Sequence, residues 1–105
     1  MPPRWLPAVL VRIRTLAEVG RVRFTYKALW ELARLGLGLD EDDGCGILAG
    51  LRSSDFTERI VSEHSGEWMY VFEPVVAGTR LYIKVAIRGD CIVISFHEDE
   101  VTDEP

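Results

Sequence analysis

Three turn signals at nearly even spacing divide the second half of the chain into short segments. Each signal is a pair of small or turn-forming residues typical of tight β-hairpins: Ser65-Gly66, Ala77-Gly78 and Gly89-Asp90. The segments between them carry many β-branched and aromatic residues and cover residues 56–63, 67–75, 80–88 and 91–97. This half therefore predicts an antiparallel meander of four strands.

The first half of the chain predicts helices. Apolar residues recur at helical spacing over residues 8–19, and Gly20 suits the position just past a helix end. Thr25 is placed to cap a second helix over 26–35, and an acidic run begins a third, short helix at about 41–49. We expect an α+β fold in which the N-terminal helices pack on one face of the C-terminal meander.

The turns also fix which strand residues face one another, if each loop has two residues. Tyr82 then lies opposite His97 and Lys84 opposite Ser95, while Glu58 lies opposite Glu73. The apolar face of the sheet is predicted to contain Trp68, Tyr70, Phe72, Leu81, Ile83, Val85, Ile92, Ile94 and Phe96. The other face is mixed and contains Glu58, Met69, Val71, Glu73, Tyr82, Lys84, Ser95 and His97.

Tyr82, Lys84 and His97 converge at the centre of the mixed face and are the candidate catalytic residues. Metal-free RNA cleavage needs a base for the ribose 2′-OH, an acid for the leaving oxygen and a cation for the phosphate. Histidine suits the proton transfers because it exchanges protons near neutral pH, and a tyrosine can donate a proton or orient the phosphate. The alternative is an ordinary solvated sheet face.

Composition is that of a folded protein, with 48% apolar and 28% charged residues in 105, and we expect one domain over 1–105. The net charge of −5 argues weakly against nucleic acid, but residues 1–36 carry seven Lys or Arg and two Asp or Glu, about +5. Residues 98–105 predict a mobile acidic tail. Without a signal peptide, membrane span or Cys/His cluster, we expect a cytoplasmic protein without metal or cofactor.

A resemblance to the MqsR (motility quorum-sensing regulator) toxins extends over about residues 16–98. The matching stretches, in order, are Gly20-Arg21-Val22-Arg23, Ala28-Leu29, Leu35-Gly36-Leu37, Ile47-Leu48-Ala49-Gly50-Leu51, Ser54-Asp55-Phe56, Trp68, Val71-Phe72-Glu73-Pro74, Gly78, Leu81-Tyr82-Ile83-Lys84 and Ile92-Val93-Ile94-Ser95-Phe96. The resemblance implies the RelE/bacterial-RNase-like fold and a metal-independent mRNA endoribonuclease. It also implies an antitoxin partner similar to MqsA, whose DNA-binding half represses the operon.

The family's proposed catalytic positions, a lysine, a glutamine, a tyrosine and a second lysine, fall here on Glu58, Met69, Tyr82 and His97. Only the tyrosine keeps its identity. His97 is suited to replace the last lysine, and Arg59 or Arg80 to supply the lost cation, although Arg59 reaches this face only if a bulge turns it.

Substrate contacts are therefore predicted for Arg59, Arg80, Met69 and Glu58 beside the catalytic residues. Two alternatives remain open at this stage. One is a catalytically weakened module of the same fold that binds an antitoxin and regulates its operon. The other is a general RNA-binding domain, which the negative net charge disfavours.

Overall fold

A computed structural model describes residues 2–99 of the chain. The helices are α1 (Leu6–Glu18), α2 (Tyr26–Arg34) and α3 (Glu41–Ala49), followed by a short 3₁₀ turn at Ser53–Asp55. The strands are β1 (Val22–Phe24), β2 (Phe56–Val61), β3 (Trp68–Phe72), β4 (Val75–Val76), β5 (Thr79–Arg88) and β6 (Asp90–Glu98). The predicted α+β fold with N-terminal helices is confirmed. Of the predicted acidic tail, residues 100–105 lie outside the described residues.

The sheet has the strand order β1-β6-β5-β3-β2, with the short β4 paired to β5. The C-terminal strands form the predicted antiparallel meander. In addition, β1 pairs in parallel with β6, Val22 lying opposite Cys91 and Phe24 opposite Val93. This pairing brings the start of α2 beside the edge of β6, because Thr25 follows β1 directly and its N–H donates to the Val93 carbonyl at 3.0 Å.

Local chemistry defines the helix starts. The Thr25 hydroxyl accepts a hydrogen bond from the Ala28 N–H at 3.1 Å, which caps α2. Asp40 and Asp43 form a reciprocal capping box at the start of α3. Gly44 lowers helix propensity but is needed in α3, because a Cβ there would lie 2.7 Å from the Phe24 ring. None of the helices described for residues 2–99 is long and apolar enough to cross a membrane.

The hydrophobic core lies between the helices and one face of the sheet. The helices contribute residues at helical spacing, Leu6, Leu10, Ile13, Leu16, Ala17, Ala28, Leu32 and Leu48. The strands contribute alternate residues, Phe72, Leu81, Ile83, Val85, Cys91, Val93 and Phe96. Cys91 is a free thiol whose burial raises its pKa to about 12, so it is protonated at neutral pH.

The predicted register is confirmed at the middle hairpin and corrected at the first. Ala77 and Gly78 both have positive φ, and this two-residue turn places Val71 opposite Lys84 as predicted. In the first hairpin the loop is longer, so Glu58 pairs with Val71 and not with Glu73. The shift is by two residues, and the strand therefore keeps its predicted faces.

The last hairpin contains a bulge that the sequence did not indicate. Arg88 pairs with Asp90 around the single residue Gly89, and the register shifts by one between Lys84 and Val85. On the C-terminal side of the shift in β6, His97 lies opposite Tyr82 and Ser95 opposite Lys84, as predicted. On its N-terminal side, Cys91 and Val93 face the helices. The prediction that Ile92 and Ile94 lie on the helix-facing side is therefore wrong.

The sheet face opposite the helices is called the open face below. Its residues are Glu58, Ile60, Met69, Val71, Glu73, Tyr82, Lys84, Ala86, Ile92, Ile94, Ser95 and His97. It contains every predicted catalytic residue.

Candidate active site

Tyr82 and His97 form a stacked pair on the open face, near the C-terminal end of β6. They are direct cross-strand partners in β5 and β6. Their rings are nearly parallel, with centroids 4.9 Å apart and an interplanar angle of 9°. Each ring therefore restricts the orientation of the other, and both are half-buried.

A backbone carbonyl at the end of β6 orients the imidazole of His97. Its Nδ1 lies 2.8 Å from the Glu98 carbonyl oxygen. Because a carbonyl oxygen can only accept, we assign the ring proton of neutral His97 to Nδ1. The lone pair of Nε2 is then available to accept a proton.

The phenol of Tyr82 is held in its neutral form. Burial raises the pKa of this hydroxyl, and the charges of three carboxylates raise it further: Glu58, Glu73 and Asp99. At neutral pH the group is therefore a hydrogen-bond donor and carries no charge that would repel an anion.

Two lysines flank Ser95, the buried neighbour of this pair. Lys84 lies directly across from Ser95 on β5. The Lys27 ammonium approaches from α2 and donates to Ser95 Oγ at 3.0 Å. Lys84 and Lys27 thus both belong to the surroundings of one small polar residue, an arrangement suited to an anionic group such as a phosphate.

Glu31 holds Lys27 in place. Its carboxylate pairs with the Lys27 ammonium at 2.9 Å and accepts the Phe96 N–H at 2.9 Å. Burial disfavours the charged carboxylate, but these hydrogen bonds and the charge of Lys27 outweigh it and lower the pKa of Glu31. The charge of His97 lowers it further. The sequence does not mark Lys27 as a site residue, because nothing in it indicates the parallel pairing of β1 with β6.

Acidic groups surround the Tyr82 side of the site. Burial raises the pKa of Glu73, and Asp99 raises it further through its charge and a hydrogen-bonding contact. Arg80 opposes this effect from 4.0 Å. The site is therefore bipolar, with lysines on one side of Tyr82 and carboxylates on the other.

The structure brings most of the predicted site residues together. Tyr82, Lys84 and His97 share the open face, as do Met69 and Glu58. Arg80 contacts Glu73 next to Tyr82.

Arg59 lies on the opposite side of the sheet, with its guanidinium 4.3 Å from the Trp5 ring and 3.7 Å from the Trp68 ring. A bulge is present in β2, between Phe56 and Glu58, but Arg59 still pairs with Tyr70 and does not reach the open face.

The site offers proton-transfer groups and fixed cations from side chains alone. Residues 2–99 contain no group of three or more His, Cys, Asp or Glu side chains arranged to hold a metal ion. An imidazole with a free Nε2, a neutral phenol and two ammonium groups can together bind a phosphate and move protons beside it.

Comparison with known proteins gives the same family as the sequence motifs. Residues 8–98 match the family model for the motility quorum-sensing regulator, toxin of MqsA. The chain is also 33% identical over 91 residues to the mRNA interferase toxin MqsR of Escherichia coli (strain K12). That match covers 85% of this chain and 90% of the relative. The protein therefore belongs to the MqsR toxin family, the motility quorum-sensing regulators.

Proposed function

We propose that this toxin-family protein is an endoribonuclease that cleaves mRNA by metal-independent transesterification. The observation that carries the proposal is the stacked Tyr82–His97 pair with Lys84 beside it. The E. coli relative is named an mRNA interferase. The family-model match over residues 8–98 includes both strands that carry this pair.

In the proposed reaction, His97 is the general base. Its Nε2 removes the proton of a ribose 2′-OH, and the resulting oxygen attacks the adjacent phosphorus. The bond to the 5′-oxygen breaks and leaves a 2′,3′-cyclic phosphate. Tyr82 donates its proton to the departing oxygen. A raised phenol pKa is compatible with this step, because an alkoxide is a much stronger base than a phenolate.

The cations of the site stabilise the developing negative charge. Lys84 pairs with Ser95 across the strands and Lys27 donates to the Ser95 hydroxyl, so a phosphate bound over this part of the open face is expected to interact with both lysines. Arg80 extends the positive charge toward the neighbouring nucleotide. Met69 and Glu58 line the same face and contact the RNA. Arg59 faces away, and we leave it out of the substrate site.

The proposed partner is an antitoxin similar to MqsA, with a DNA-binding half that represses the shared operon. The family description, toxin of MqsA, supports this partner. We place the pair in the cytoplasm, where both mRNA and the operon are found.

A second candidate is a catalytically weakened module that binds the antitoxin and tunes repression. It is favoured by the carboxylates near Tyr82, because Glu58 occupies a position where the resemblance implies a lysine. A carboxylate near the reacting phosphate opposes RNA binding.

The test is RNA cleavage by the purified protein with EDTA present. We expect discrete cuts in a long single-stranded RNA, ending in 2′,3′-cyclic phosphates. The Tyr82→Phe/His97→Ala variant should slow cleavage by about a thousandfold, the range expected for lost acid–base catalysis. Tyr26→Phe is the matched control, because it removes an equivalent hydroxyl from a side chain that is 92% exposed on α2.

Either result decides between the two candidates. Cleavage that EDTA does not affect and that the double variant loses establishes the nuclease. No cleavage by folded wild-type protein, with or without ribosomes, contradicts it and favours the antitoxin-binding module.

A further inference from the structure

The bulge in β6 creates a second feature on the open face. The register shift between Lys84 and Val85 turns Ile92 and Ile94 away from the core and onto this face. Bulges commonly redirect side chains next to active sites. Here the redirected residues are apolar, although Ile94 directly precedes Ser95 at the proposed phosphate site and Ile92 lies on the same strand.

These isoleucines form one wall of an apolar groove of about 580 Å³. Ile60 and Met69, which pair with each other on β2 and β3, form the opposite wall. Between the walls lies the small, fully buried Ala86 of β5, which pairs with Met69 on one side and Ile92 on the other. A short side chain between longer ones explains why the sheet surface is concave here.

The groove adjoins the Tyr82–His97 pair through Lys84, which lines it and lies two residues from Tyr82, about 7 Å along the same strand face. Its rim is completed by Thr25, by Arg88 and by the loop after β2, which includes Glu63, His64 and Glu67. Arg88 forms an ion pair with Glu67. A groove with apolar walls and an ammonium group at one end matches a nucleotide, whose base has apolar faces and whose phosphate is anionic.

We propose that this groove is the binding subsite for the nucleobase next to the scissile phosphate, with Ile60, Met69, Ile92 and Ile94 contacting the base and Lys84 its phosphate. The inference rests on the proposed nuclease function and adds a specificity-determining surface to it. A base must enter the groove unpaired, so the substrate is single-stranded RNA.

Met69 is a natural reporter for this subsite, because the chain contains only two methionines and the other is Met1. The experiment uses protein with isotope-labelled methionine methyl groups, and a Met69→Leu variant assigns the signal. The ligand is a single-stranded RNA with 2′-methoxy groups, which cannot be cleaved by transesterification. We expect an upfield shift of the Met69 methyl signal, caused by the ring current of the bound base.

Two variants show whether the groove contributes to binding. Ile94→Ser should weaken RNA binding about tenfold, since it removes apolar contact with one base. Val11→Ser makes a matched change at an exposed site on α1 and should leave the affinity unchanged. A Met69 signal that stays in place when the RNA is saturating overturns the proposal, as does wild-type affinity in Ile94→Ser. A shift induced by the antitoxin and not by RNA also overturns it, in favour of a protein-docking groove.

The cleavage assay separates this inference from the nuclease proposal. RNA cleavage without a Met69 response retains the nuclease and rejects the groove. A Met69 response without cleavage retains the groove and rejects the catalytic roles.

Discussion

The two faces of the sheet differ in what their residues do, although both faces come from the same strands. On the helix-facing side, Leu81, Ile83 and Phe96 are fully buried in the core. On the open face, their immediate neighbours Tyr82, Lys84 and His97 form the candidate site. Packing and chemistry thus alternate residue by residue. The strand register that buries the core also aligns the site.

Substitutions at two adjacent residues test this alternation. Phe96→Ala should lower the free energy of unfolding by about 4 kcal/mol, because it removes a fully buried aromatic ring that packs against Phe24. His97→Ala should lower stability by only about 1 kcal/mol, the scale of one stacked aromatic pair, yet abolish most RNA cleavage. Urea denaturation followed by circular dichroism measures the first quantity, and the EDTA cleavage assay the second.

The contrast between the two faces is contradicted if Phe96→Ala and His97→Ala lower the free energy of unfolding by the same amount. Equal destabilisation by His97→Ala would make His97 a packing residue whose loss of activity reflects unfolding. Tyr26→Phe serves again as the control, since it is expected to change neither quantity.

The hairpin turns decide how well the sequence predicts which residues lie on each face of the sheet. The Ala77-Gly78 turn has a defined two-residue geometry, so the pairing of Lys84 with Val71 followed from it directly. The longer loop of the first hairpin changed the partners of Glu58 but kept its face, because the error was an even number of residues. The core and the site centre were predictable for this reason.

The bulge was not predictable, because Cys91 to Ile94 are four consecutive apolar residues. Period-two alternation cannot choose between Ile92 with Ile94 and Cys91 with Val93 as the buried pair. Lys27 was missed for a different reason. Its contact with Ser95 depends on a parallel pairing between strands 69 residues apart, such as Val22 with Cys91, and no local pattern reports such a pairing.

The charge on the open face can be changed without touching the core. Glu58→Lys replaces a carboxylate whose charge acts on Tyr82 with the cation that the family resemblance implies. We expect kcat/KM for RNA to rise about tenfold, corresponding to about 1.4 kcal/mol of recovered electrostatic attraction at moderate salt. Glu18→Lys on α1 gives the same change in net charge and is the control. An equal gain in Glu18→Lys would show that overall charge, and not the open face, limits activity.

The smallest expected effect is the loss of folding stability caused by the charged form of Glu73 on the open face. Because its pKa is raised in the folded protein, chiefly by burial and by Asp99, the native state holds this proton more tightly than the unfolded chain does. Stability is therefore lost as pH rises from the ordinary glutamate range through the raised pKa, and the loss persists at neutral pH. Glu73→Gln should raise Tm at pH 7 and leave it nearly unchanged at about pH 3, where the carboxyl is largely protonated in both the folded and the unfolded state. Thermal melts across this range, with the exposed Glu63→Gln as control, measure the difference.

A lower Tm for Glu73→Gln at pH 7 would mean that the ion pair with Arg80 outweighs burial. The expected result means that the open face tolerates an unfavourable charge that the helix-facing side excludes, as functional surfaces commonly do.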